Sequence, residues 1–144
     1  MATTTTSDLS IQTTDHPNAL RLREAFDAFG RGDLETVRAN MADTCTWTNA
    51  GTSPIAGTHT GWDQISSMFG KLLEMTGGTF SMKVLSTLAD GTYAVAIYDA
   101  TSTVAGVTET NRFVLVDDLD KQGKITATHS FAYDQAKADA HANR

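Results

Sequence analysis

Residues 22–62 read LREAFDAFGRGDLETVRANMADTCTWTNAGTSPIAGTHTGW, and the order of signals in this stretch decides the fold. Leu22, Phe26 and Phe29 recur at i, i+4 and i+7, which lays one apolar stripe along a helix. That helix is expected to begin at His16-Pro17, with Asp15 as its cap and Pro17 in the first turn, where a missing N–H does no harm. Gly30 and Gly32 end it, and Asp33 caps a short second helix running to about Ala42. Thr44 to Asn49 alternate around Trp47 as a strand does, whereas Gly51 to Gly61, with Pro54 and Gly57, carry loop chemistry.

Downstream, Thr60 followed by Asp63 forms a variant capping box that opens a third helix. Ile65, Met68, Phe69, Leu72 and Leu73 sit at helical spacing, and Gly77-Gly78 stops the run. Four strand-like segments follow, about Thr79 to Leu88, Thr92 to Val104, Thr108 to Val116 and Lys124 to Tyr133. Their separators are too short for parallel crossovers and favour antiparallel hairpins. The expected class is therefore α+β, with three N-terminal helices packed on a strongly curved, mostly antiparallel sheet that encloses a pocket. Residues 16–134 are expected to form a single domain. A flexible Thr-rich tail over residues 1–15 precedes it, and a polar, Ala-rich C-terminal tail over residues 135–144 follows.

Composition narrows the partners. A chain of 144 residues with 40% apolar residues is long enough for one independent core. The net charge of −6 and the scattered placement of eleven Lys and Arg residues argue against nucleic acid. A single cysteine, Cys45, cannot form an intrachain disulfide and has no companion at metal-ligand spacing. The opening MATTTTSDLSIQTTD has neither a basic nor an apolar leader region, and no stretch approaches the roughly 18 apolar residues of a membrane span. A soluble protein of the reducing cytoplasm, with no nucleic-acid or membrane partner, is the expectation. No GxGxxG, P-loop, GxSxG or metal-spaced cluster occurs, so cofactor-free chemistry without a metal is expected.

The segments AFDAFGRGDLETVRANMADTCTW, GTSPIAGTHTGWDQI and NRFVLVDDLDKQGKI resemble the SnoaL-like branch of the NTF2-like superfamily, which holds polyketide cyclases, ketosteroid isomerases and limonene epoxide hydrolases. The resemblance runs from about Pro17 to Asp134 and implies the cone-shaped NTF2-like fold. It says little about the reaction. Where ketosteroid isomerases place a base Asp this chain has Asn49, and where they place a protonated oxyanion-hole Asp it has Asn111. Their oxyanion-hole Tyr corresponds to Ala25. Alignment with limonene epoxide hydrolases puts Asp99 at the first carboxylate, Ile97 at the Arg and Ser130 at the second Asp; the acid/base Asp of SnoaL-like cyclases falls in the same region as Ser130. A homodimer through the outer sheet face is also implied, with Ala94, Ala96, Tyr98, Ala127 and His129 on that face.

Among the residues themselves, Asp99 is the leading catalytic candidate. Val95, Ile97, Asp99 and Thr101 share one strand face. If that face lines the cavity, desolvation raises the carboxyl's pKa and suits it to acid/base work. Otherwise it is a rim carboxylate facing water or paired with Arg112. Asn49 and Asn111 are amide donors for a carbonyl or enolate-like oxygen, or else ties for neighbouring backbone. Trp47, Met68, Phe80, Phe113, Ile97, Ser130 and the loop residue His59 make up the expected ligand wall, the aromatic ones doubling as core.

Two readings stand. One is a cofactor-independent isomerase, cyclase or epoxide hydrolase acting on a small hydrophobic polyketide- or terpenoid-like ligand. The other is a non-catalytic small-ligand-binding or dimerisation module that kept the cone and lost the reaction.

Overall fold

The computed structural model describes residues 14–144, so the tail expected over residues 1–15 lies outside the described residues apart from its last two. Helix α1 (Pro17–Gly30) starts with Pro17 as expected, but its cap is His16 rather than Asp15: His16 Nδ1 accepts the Asn18 amide at 3.0 Å. Ala19, Leu22 and Phe26 form its buried stripe. Gly32, at φ 78°, takes the left-handed turn out of α1, and Asp33 caps α2 (Leu34–Ala39) by accepting from both the amide and the hydroxyl of Thr36. Helix α2 ends at Ala39 rather than Ala42, and strand β1 (Met41–Asn49) begins at Met41 rather than Thr44.

The stretch with loop chemistry contains a short edge strand, β2 (Gly57–Thr60), paired antiparallel with β1. Only His59 of its four residues is partly covered, so it leaves no alternation to read. Helix α3 (Gly61–Met75) follows without the expected capping box. The Thr60 side chain makes no cap bond, and Gln64 Oε1 reaches back to accept the Thr60 amide at 2.8 Å.

Strands β3 (Ser81–Ala89), β4 (Tyr93–Val104), β5 (Val107–Leu119) and β6 (Ile125–Ala132) complete a six-stranded sheet of order β2-β1-β6-β5-β4-β3. Every pairing is antiparallel except β1 with β6. Ala105 and Gly106, at φ 50° and 78°, close the β4–β5 hairpin in the primed-turn conformation that matches strand twist. Register breaks in β1, in β3 between Val84 and Ser86, and at Asp118/Leu119 insert bulges, and bulges bend a sheet. The curved sheet holds two apolar clusters. One seats Ala19, Leu22 and Phe26 of α1 on Ala94, Ala96, Tyr98 and Leu115; the other seats Ile65, Met68 and Phe69 of α3 on Cys45 and Ile125.

The described residues contain four helices in place of the three expected. Within the segment expected as a polar tail lies α4 (Gln135–Ala142), capped by Asp134, whose carboxylate accepts the Lys137 amide at 3.0 Å. Its buried residues are Ala138 and His141, so it docks through a polar contact and gives no apolar stripe for sequence reading to find. No helix among the described residues is long and apolar enough to cross a membrane.

Candidate functional site

The inner face of β4 carries Ala94, Ala96, Tyr98 and Ala100, all buried, which places Val95, Ile97, Asp99 and Thr101 on the outer face. Leu22 and Phe26 of α1 pack on this inner face, the Phe26 ring 4.9 Å from that of Tyr98. Asp99 therefore does not line the cavity. Arg112 Nε and Nη2 grip its two oxygens at 2.8 and 3.2 Å across the hairpin. The hydrogen bonds from Arg112 hold the Asp99 carboxyl below its ordinary range. Ile97 points outward with it, and of the five residues expected on the outer face, Ala94, Ala96 and Tyr98 point inward instead.

Between α1, α3 and the concave sheet lies a cavity of about 150 Å³. Trp47, Met68, Phe80, Phe113 and Ser130, all expected ligand contacts, line it together with Asn49. Phe69 stands edge-on to Trp47 with ring centroids 5.2 Å apart. Asn49 is already engaged: its Oδ1 accepts the Trp47 indole N–H at 2.8 Å, and its Nδ2 donates to the Ile55 carbonyl at 2.9 Å and meets Met68 Sδ at 3.0 Å. It braces the loop after β1. His59 lines neither this cavity nor the one below α4; its Nε2 sits 2.9 Å from the same Ile55 carbonyl.

The carboxylate that does line this cavity is Asp117 on β5, 1% exposed. Its inward position follows from the phase of β5, because Asn111, Phe113, Leu115 and Asp117 share one face. Thr128, its cross-strand partner on β6, donates its hydroxyl to Asp117 Oδ1 at 2.6 Å. Among the described residues, no basic group pairs with it. Desolvation raises its pKa to about 7 against the lowering pull of the Thr128 bond, with the neighbouring Asp118 charge adding to the rise. On the same wall, Tyr98 stacks on Phe113 at 5.7 Å, and its hydroxyl lies 3.5 Å from Ser130 Oγ. Burial pushes the Tyr98 phenol up to about 12, so it stays protonated and remains a donor. Sequence reading missed both groups, although Phe113, expected in the wall, fixes Asp117 four residues on to the same face.

A second cavity of about 100 Å³ lies under α4 and shares Asn49, Phe80, Ala100, Phe113 and Ser130 with the first. Asn111 opens here rather than beside Asp117. It is 8% exposed, and its amide has no hydrogen-bond partner among the described residues. The three residues expected to act together, Asp99, Asn49 and Asn111, are thus not brought to one point. Among the described residues, no group of three or more His, Cys, Asp or Glu is arranged to hold a metal ion.

Comparison with known proteins bears on this arrangement. The sequence model of the SnoaL-like domain matches residues 22–128. Solved structures with the same arrangement include Bal32a from a soil-derived mobile gene cassette, at 27% identity and a TM-score of 0.81, covering 87% of this chain and 95% of that one. A Xanthomonas campestris protein of unknown function with a cystatin-like fold is 25% identical, with a TM-score of 0.80 and coverage of 88% and 98%. An NTF2-like protein of unknown function from Burkholderia pseudomallei, 22% identical with a TM-score of 0.74 and coverage of 88% and 98%, shares the fold. No curated protein matches the sequence significantly.

Proposed function

The chain belongs to the SnoaL-like domain family, and from that premise we propose that it is a cofactor-independent enzyme that moves a proton on a small hydrophobic carbonyl, enol or epoxide compound. The observation that carries the reading is Asp117, a carboxyl with no basic partner among the described residues, in the wall of an apolar cavity and titrating at about 7. A group half-ionised at neutral pH takes a proton in one step and returns it in the next. Asp117 removes a proton beside the substrate carbonyl, and Tyr98, held protonated by burial, donates a hydrogen bond to the oxygen as it gains charge. The dry walls strengthen that bond and exclude water from the intermediate. An apolar cavity of roughly 150 Å³ accepts a single six-membered ring, so a monocyclic polyketide- or terpenoid-like compound is the proposed substrate class.

The test is exchange of the protons beside the carbonyl of cyclic ketones in heavy water, followed by NMR. The wild type is expected to catalyse exchange, and Asp117→Asn to lose about 100-fold or more of the rate. Equal rates in the two proteins sink the proposal.

The engagement of Asn49 and the outward turn of Asp99 favour a second reading, a binding module that holds such a ligand without changing it. Saturable binding with no exchange in the wild type supports it.

We also propose a homodimer through the outer face of the sheet, where Val95, Ile97, Val114 and Val116 adjoin the exposed Leu85 and Phe131. Sedimentation at micromolar concentration is expected to give a dimer, and Phe131→Asp a monomer. A monomeric wild type removes this claim.

A further inference from the structure

The second cavity holds a side-chain arrangement that the reading above does not use. Ser102 and Glu109 are directly opposite each other on β4 and β5, one inward position beyond the Ala100 and Asn111 pair. Helix α4 lowers His141, its side chain 6% exposed, onto the two of them. His141 Nε2 lies 3.1 Å from Ser102 Oγ, and His141 Nδ1 lies 3.4 Å from Glu109 Oε2. Hydroxyl, imidazole and carboxylate therefore stand in the order that activates a serine. Ser102, His141 and the unpartnered Asn111 amide all line the same cavity.

Two proton positions fit the distances. With the proton on Nε2, His141 donates to the Ser102 carbonyl at 3.1 Å and Nδ1 accepts from Arg144 Nε at 3.2 Å. That state leaves Glu109 Oε2, a buried oxygen, with no hydrogen-bond partner among the described residues. With the proton on Nδ1, Nε2 becomes the acceptor for the Ser102 hydroxyl and the Nδ1 proton lies toward Glu109 Oε2, 3.4 Å away, in exchange for the bonds to the Ser102 carbonyl and from Arg144 Nε. Arg144 keeps its separate contact to Glu109 Oε1 at 3.0 Å in either case. The second state, which ester cleavage requires, exchanges those two bonds for a donor beside a buried carboxylate oxygen that otherwise has none among the described residues.

We propose that Ser102, His141 and Glu109 form a second chemical centre, a serine nucleophile that cleaves short-chain acyl esters in the cavity beneath α4. His141 Nε2 takes the hydroxyl proton as Ser102 Oγ bonds to the ester carbonyl carbon. The Asn111 amide donates to the carbonyl oxygen as it becomes negative. The C–O bond to the alcohol then breaks, and the departing oxygen takes the proton from His141. Water, deprotonated by His141, attacks the acyl-serine; the carboxylic acid leaves and Ser102 regains its proton. Glu109 orients His141 throughout and is a positioning residue.

The experiment uses the full chain with a fluorophosphonate probe and with p-nitrophenyl butyrate, read by intact mass, peptide mapping and p-nitrophenolate release. The expected result is one covalent adduct, mapped to Ser102 and absent from Ser102→Ala, with ester cleavage falling by at least about 100-fold in that variant. Glu109→Gln is expected to slow adduct formation while Ser102 remains the labelled residue. A folded wild type, by circular dichroism, that forms no adduct or is labelled at another residue overturns the proposal. So does ester cleavage that is unchanged in Ser102→Ala. The wild-type labelling result decides the matter even if a variant fails to fold.

Discussion

Strands β4 and β5 set Asp99 on the outer face of the sheet and Asp117 on the inner, and the two have opposite chemistry. Asp99, outside, lies in the fork of Arg112 and is held in its ionised form. Asp117, inside, has among the described residues only the Thr128 hydroxyl and a neighbouring carboxylate, and burial lifts it to about 7. Both sit on regular antiparallel strands, so secondary structure does not distinguish them. The difference teaches that which face a residue takes, together with the charge it meets there, decides whether a carboxyl is an ion-pair member or a proton carrier.

The contrast is open to test, starting with the largest effect. Asp117 titrates at about 7 in the folded chain against an ordinary value near 4, so the folded state binds its proton more tightly. The stabilisation linked to that proton is complete below pH 4, declines as the pH rises to 7, and changes little above that. Asp117→Asn should abolish the slope and leave the protein about 3–4 kcal/mol more stable than the wild type at pH 8, measured by urea unfolding across pH. A wild-type curve with no decline between pH 4 and 7 would erase the distinction between the two faces.

Next in size is Thr128→Val, which removes the one side-chain hydrogen bond that eases Asp117 among the described residues. It should cost about 1–3 kcal/mol and move the end of the pH slope above 7. Smaller again is Ala105→Gly. Ala105 holds a positive φ of 50°, and relief of that conformation should raise stability by about 0.5 kcal/mol with the cavity unaffected, as thermal melting would record. The smallest effect belongs to Asp99→Asn, which should leave proton exchange unchanged and melting nearly so. A large loss of exchange would restore Asp99 to the chemistry.

The fold was legible where single residues dictate backbone shape. Asp33 as a cap, Pro17 in a first turn, the Gly77-Gly78 stop and the short hairpin separators each have one physical meaning, and from them the layer order follows. The site was legible only in its apolar wall. On β4 both faces are small or apolar, Ala94, Ala96 and Ala100 against Val95, Ile97 and Thr101, so alternation carries no sign, and it is the first set that packs with α1. Adjacent Asp117 and Asp118 posed the same problem on β5, with one inside and one out; the phase set by Phe113 was the usable signal. Helix α4 was invisible for another reason. Its docking depends on a histidine meeting a serine and a glutamate across long sequence separation, a contact that no local pattern announces.

Trp47 gives the molecule an optical consequence. Its indole forms part of the cavity wall and is fixed in place by Asn49, whereas Trp62, 5.8 Å from the Arg38 guanidinium, lies outside that wall. A guest that fills the first cavity changes the surroundings of one fluorophore and leaves the other as an internal standard. Occupancy can therefore be followed by the chain's own emission, with Trp62→Phe isolating the reporter and Trp47→Phe silencing it.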